Sequence, residues 1–177
     1  MSFEQLFKEI SPEAISDNVF TLTGKDLYAI TAGKQEHYNS MVGSGGGFGL
    51  IFRKPATWCF IREDRYTLEL IQKEQTYTLS YFPQKYKEKM LFLGSKTGRD
   101  SDKMREVELT SIQTPSSDMS FREAKLVIEC SLTALIPGLP DYFCKQETKN
   151  YINEAYREEK AYRKIVFGDI THVWAKK

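Results

Sequence analysis

Residues 38–49 read Tyr38-Asn39-Ser40-Met41-Val42-Gly43-Ser44-Gly45-Gly46-Gly47-Phe48-Gly49. Tyr38 to Val42 has the composition of a strand, and the seven positions that follow hold five of the chain's 11 glycines. Glycines at this density let backbone N–H groups turn inward and approach an anion or a flat ring closely. A flexible hairpin or bulge accounts for the same residues locally. The familiar phosphate loops do not fit. Gly43-x-Gly45 and Gly45-x-Gly47 meet Phe48 and Leu50 where a dinucleotide fingerprint needs its third glycine. Gly24-Lys25 runs into Asp26, with Val19 in place of the first glycine of a Walker loop. Asn39 and Ser40 offer short donors and acceptors, unusual in a strand unless they face something polar or a solvated edge.

Upstream, Phe3, Leu6, Phe7 and Ile10 stand at helical spacing, so Phe3 to Ile15 is expected to pack as a short helix. Ser11-Pro12-Glu13 is an N-cap followed by proline at the first helical position. Val19, Phe20 and Leu22, then Leu27, Tyr28, Ile30 and Thr31, read as two strands joined at Thr23–Asp26. Downstream, strands are expected at Leu50–Phe52 and Thr57–Ile61, a helix over Tyr66–Lys73, a strand over Thr76–Phe82 and a helix over Gln84–Leu93. Gly94 to Lys103 is a polar loop, Ala124 to Ile136 a long strand, Tyr151 to Ala161 a charged helix and Lys164 to Trp174 a final strand. About seven strands with a few short helices make a mainly β fold, a closed or partly closed antiparallel barrel, in one domain over 1–177.

The 177 residues carry 25 basic and 24 acidic side chains, a formal charge of +1. Nucleic-acid binding would call for a clustered basic surface, which this balance does not provide. No apolar run has the ~18 residues of a membrane span, and Met1 to Ile10 lacks a signal-peptide core. The expected location is the cytoplasm. Cys59, Cys130 and Cys144 are too scattered for a disulfide framework or a zinc site and read as buried thiols. His37 and His172 are equally isolated.

Arg62-Glu63-Asp64-Arg65-Tyr66-Thr67 ends a strand and starts a helix, whose N-terminus presents free N–H groups and partial positive charge. By itself this is also what an ordinary capped helix looks like. The loop Ser95-Lys96-Thr97-Gly98-Arg99-Asp100-Ser101-Asp102-Lys103 adds cations beside a glycine, as many solvated loops do.

In order, Thr31-Ala32-Gly33, Asn39-Ser40-Met41, Lys54-Pro55, Arg65-Tyr66-Thr67, the loop from Thr97 to Lys103, Leu126-Val127-Ile128-Glu129-Cys130 and Phe167-Gly168-Asp169-Ile170 run along the chain. This succession resembles the flavin-reductase-like family with the FMN-binding split barrel, flavoredoxins included, from about Thr23 to Trp174. The resemblance implies a split β-barrel that binds FMN. It places Asn39, Ser40, Met41, Val42, Ser44 and Gly45 along the flavin, and Arg65, Thr67 and Lys103 near the phosphate. It assigns no catalytic residue and no metal. The family often carries a Trp-Gly pair after its Asn-Met-Thr strand, where this chain has Gly45-Gly46-Gly47-Phe48. Phe48 either replaces that aromatic in part or belongs to the core. The resemblance also implies a homodimer and NADH or NADPH as electron donor. Three functions follow as alternatives: an NAD(P)H-dependent flavin reductase, an FMN-carrying electron-transfer protein with a redox partner, or a non-enzymatic β-barrel binder of another ligand.

Overall fold

The computed structural model describes residues 1–96, 98–99 and 103–177. Its order is α1 (Phe3–Leu6), β1 (Phe7–Ile10), β2 (Tyr28–Lys34), β3 (His37–Gly43), β4 (Gly47–Ile51), β5 (Lys54–Arg62), α2 (Tyr66–Glu74) and β6 (Thr76–Tyr81). There follow α3 (Lys87–Ser95), α4 (Lys103–Glu106), β7 (Ser111–Gln113), β8 (Met119–Phe121), β9 (Leu126–Pro137), α5 (Gln146–Glu159) and β10 (Arg163–Lys176). One antiparallel sheet runs in the order β3-β2-β6-β9-β10-β5-β4, with β1 added against β10. β7 and β8 form a separate short pair. The mainly β architecture with peripheral helices therefore agrees with the sequence reading. The end strands β3 and β4 follow one another across the glycine turn, and among the described residues they do not pair with each other.

β2 is buried almost throughout because it divides two cores. Its Tyr28, Ile30 and Ala32 join Met41, Leu68, Ile71, Leu79, Ile128 and Val166 on one side. Ala29 joins Phe3, Phe7, Phe82, Leu93, Val127 and Trp174 on the other. Burying both faces requires apolar or paired small side chains at every position, which explains why the strand reads as a continuous run rather than an alternation. Two buried carboxylates elsewhere in the fold are matched. The buried Glu129 accepts hydrogen bonds from Thr114 Oγ1 at 2.9 Å and Trp174 Nε1 at 2.5 Å. Asp118 accepts from Thr76 Oγ1 and Lys34 Nζ, both at 2.7 Å, tying the β7–β8 pair to the main sheet.

Four expectations are corrected. The opening segment is not one helix: Phe3–Leu6 is helical, Phe7–Ile10 is a strand on β10, where Phe7 stacks on Phe3 at 4.6 Å, and the Ser11-Pro12 start signal opens only a short 3-10 turn at Pro12–Ala14. Residues 18–22 form no strand, since Thr21–Lys25 is a wide helical turn that buries Leu22 and leaves Phe20 exposed. Strand β4 begins at Gly47, and Phe52 falls in the turn after it. Cys144 is exposed, whereas Cys59 and Cys130 are buried as expected. Burial pushes the Cys130 thiol up to about 12 and Cys59 higher still, so neither is a thiolate at neutral pH. No described helix is long and apolar enough to cross a membrane.

Candidate functional site

Strand β3, the start of α2, Gly98 with Arg99, and α4 line a cleft of about 1040 Å³. Asn39 lines it from β3, with His37, Tyr66, Arg99, Lys103 and Arg105 around it. The wall is built by hydrogen bonding between distant segments. Asn39 Nδ2 donates to Thr67 Oγ1 at 2.7 Å, joining β3 to the first turn of α2. Tyr66 Oη and His37 Nε2 lie 2.5 Å apart. The Arg99 guanidinium sits 5.3 Å from the Tyr66 ring centroid and pairs with both oxygens of Glu69. Gly98 is pressed onto Asn39 so closely that a Cβ at that position would collide with the Asn39 side-chain amide oxygen, which the Thr67 bond holds in place. Glycine is therefore required there for the loop to close over the strand.

Lys103 is the electrostatic centre of this arrangement. It is only 2% exposed, and its Nζ donates to the Leu93 and Lys96 carbonyls at 3.2 and 3.1 Å, the uncapped end of α3. An ammonium has three donors, so one is left over. Burial, with the Arg65 charge adding to it, lowers its pKa from 10.5 to about 8. Arg65 itself precedes α2 as its N-cap residue and makes no side-chain cap. Its Nε is buried without a partner, and burial, then the neighbouring Arg62, lowers the guanidinium's pKa. Among the described residues neither cation forms an ion pair. Two under-compensated cations near an uncapped helix start are a setting in which an anion relieves an existing cost.

The residues expected along the flavin divide. Asn39 and Lys103 line the cleft, and Thr67, fully buried, holds Asn39 in place. Arg65 is not part of the lining. Ser40 turns inward to Thr31, 2.6 Å from its hydroxyl, and Met41 belongs to the core. Val42 packs toward Gly94 of α3. The Gly45 N–H donates to the Thr23 carbonyl, and its own carbonyl accepts from Tyr28 Oη at 2.7 Å, so its backbone groups are already used. Phe48 packs on the core. Ser44 is exposed at the rim of a second pocket, under α5. Thr97, Asp100, Ser101 and Asp102 of the loop lie outside the described residues. His37 was missed: it is 29 residues from Tyr66, and nothing local in the sequence joins them.

Removing the Thr67 hydroxyl tests this geometry. Thr67→Val keeps the shape but leaves Asn39 Nδ2 buried and unpaired, at a cost of about 1–3 kcal/mol. Chemical denaturation should show that loss, with the midpoint falling and the m-value unchanged.

No protein-family model matches the sequence, and comparison with curated proteins gives no match either. Solved structures do match in fold. An FMN-binding protein from Thermus thermophilus with bound 1-cyclohex-2-enone superposes with a TM-score of 0.64 at 17% identity, over 95% of this chain and 77% of that one. The flavoredoxin of Desulfovibrio vulgaris (Miyazaki F) gives 0.64 at 16% identity, over 93% and 75%. An NADH:FAD oxidoreductase from Streptomyces globisporus C-1027 gives 0.61 at 10%, over 86% and 78%. The chain has the fold of these split-barrel flavoproteins.

Proposed function

We propose that this chain binds FMN, with the phosphate in the cationic cleft and the rest of the cofactor along β3, and that it works as an NAD(P)H-dependent flavin reductase or a related oxidoreductase. The observation that carries the binding is Lys103, a buried ammonium paired with no carboxylate among the described residues, with a spare donor, lining a cleft that Asn39 and Arg99 also line. The residues fit the group. A phosphate dianion near Lys103 and the start of α2 supplies the missing counter-charge, and charge-assisted hydrogen bonds are about twice as strong as neutral ones. The split-barrel fold, shared with proteins described as binding FMN or reducing flavin, supports the same reading.

When bound, FMN itself supplies the hydride and electron chemistry. The protein's part is positional. Lys103, fixed by two carbonyls, has one N–H to spare; Asn39, held by Thr67, fastens β3 to the start of α2; and Arg99, clamped to Glu69 over Tyr66, closes one flank. No acid or base is required for hydride arrival, and none is assigned. An FMN-carrying electron-transfer protein is the second reading, favoured by the likeness to a flavoredoxin. Anaerobic mixing of the FMN-loaded protein with NADH and with NADPH separates the two. Bleaching by either donor supports the reductase, and none with both supports the carrier.

We also propose that the chain is a homodimer. Cross-strand register puts Trp58, Phe167 and Ala134 in one row of the outer sheet face, and Phe60, Ile165 and Ile136 in the next. A sheet face meant for water normally alternates to polar residues. Arg62 with Asp64 at one end and Lys54 with Asp169 at the other give a rim of both signs, which suits a two-fold contact with a second copy. Phe167→Lys should lower the mass seen by sedimentation from dimer to monomer; a monomeric parent protein would overturn the proposal.

A further inference from the structure

Helix α5 buries none of its residues, yet Tyr151, Ile152, Ala155 and Tyr156 fall on one face of it. That face does not rest on the sheet. It roofs a pocket of about 450 Å³ whose floor includes Phe60 and whose ends include Phe143 and Tyr162. Tyr156 and Tyr162 stack at 4.2 Å with their planes 16° apart, so part of the wall is already a rigid aromatic surface. Among the described residues Arg163 is the one charged side chain lining the pocket, and it pairs with Glu159 at 2.6 Å. The Ser44 and Thr148 hydroxyls also line it and form no hydrogen bond among the described residues. Gly45, beside Ser44, helps to keep this end open: a Cβ there would meet only Phe60, at 3.8 Å.

We infer that this pocket is a second ligand site, for an uncharged planar aromatic ring system of one or two rings bearing a hydroxyl or carbonyl. The volume lies at the low end for small-molecule pockets, too small for a dinucleotide and sufficient for a bicyclic ring. Aromatic walls favour a flat ring by stacking, beyond the area buried. Arg163 already pairs with Glu159, so an anionic substituent would have to share it with that carboxylate. Ser44 and Thr148 provide for one polar substituent. Of the residues assigned to the flavin only Ser44 reaches this pocket, whereas Asn39 and Lys103 line the other cleft. Ring binding here thus stands apart from the FMN reading. Only the further step, that the ring is the flavin's electron acceptor, rests on it.

The test is a calorimetric titration of the full chain with 2-naphthol, with and without saturating FMN. One saturable site is expected, unchanged by FMN, and at least tenfold weaker in Ala155→Trp, which fills the pocket from the roof. Tyr151→Ala, which shortens the stacking wall without adding bulk, should weaken it severalfold and guards against a misfolded Ala155→Trp. The anionic 2-naphthoate should bind at least tenfold more weakly. Absence of 2-naphthol binding, binding untouched by both substitutions, or equal binding of 2-naphthoate would overturn the inference. So would displacement by FMN, which would make the pocket the seat of the flavin's own ring. Should FMN itself not bind, the titration without FMN still decides the ring site.

Discussion

Lys103→Met should weaken FMN binding by about 1.5–3 kcal/mol, the usual range for a hydrogen bond to a charged group, or roughly ten- to 150-fold. Methionine keeps the length and the burial while removing the donor and the charge. A fluorescence titration of both proteins measures the ratio. The pH dependence adds a signature that packing does not mimic. The free protein's Lys103 titrates at about 8, and a bound phosphate dianion raises that value. Affinity should therefore be level below pH 8 and fall as pH rises above it, with that component absent in Lys103→Met. Linkage in the free protein runs the opposite way. Burial lowers the folded pKa to about 8 while the unfolded chain keeps 10.5. Between those values the unfolded chain binds more protons, so the Lys103 contribution raises stability with pH across that window. Urea denaturation of the two proteins at pH 7.5 and 9.5 should show this difference. A wild-type affinity flat from pH 7 to 10 would remove Lys103 from the phosphate.

Gly46→Ala should unfold the protein more readily than any surface substitution, by about 3 kcal/mol or more. Gly46 has φ of +96°, where a Cβ is strained, and its Cβ would collide with the Trp58 carbonyl. The obstacle is backbone in the middle of β5, paired to β4 on one side and β10 on the other, so it cannot yield without opening the sheet. For a chain of this length the melting temperature should fall by about 6–12 °C. Gly24→Ala is the control, since nothing lies within 4 Å of its Cβ, and it should stay within about 0.5 kcal/mol of the parent. Calorimetry that found Gly46→Ala as stable as Gly24→Ala would contradict the geometry of the turn.

What the sequence made legible follows from how locally each feature is determined. β5, β6, β9 and β10 carry long β-branched and aromatic runs, and α2 shows Leu68, Leu70 and Ile71 facing inward, so these were readable to within a few residues. Thr21–Lys25 was misread because Val19, Phe20 and Leu22 look like a strand, while the chain there buries Leu22 and turns Phe20 to solvent. β1 was hidden because only its pairing with residues 173–176 of β10, far along the chain, makes Phe7–Ile10 a strand. The glycine run was recognised as unusual, but its cause is long-range. Gly46 clears the Trp58 carbonyl, and Gly47 lets the Trp58 ring lie against the strand, 2.8 Å from where a Cβ would stand. Asn39, Thr67 and Lys103 were named from their order in the chain, and the structure brings Asn39 and Thr67 into hydrogen-bond contact and sets Lys103 in the same cleft. Ser40, Met41 and Gly45 share that strand and turn but are used internally, a difference of side-chain direction and backbone pairing that no motif records.

The central claim is that the cationic cleft holds a flavin by its phosphate. The most direct measurement compares FMN with riboflavin, which has the same ring and ribityl chain and no phosphate, by fluorescence titration of the purified protein. FMN should bind one to one and at least tenfold more tightly than riboflavin, with the gap narrowing in Lys103→Met. Equal affinity for the two, or no binding of FMN, would contradict it.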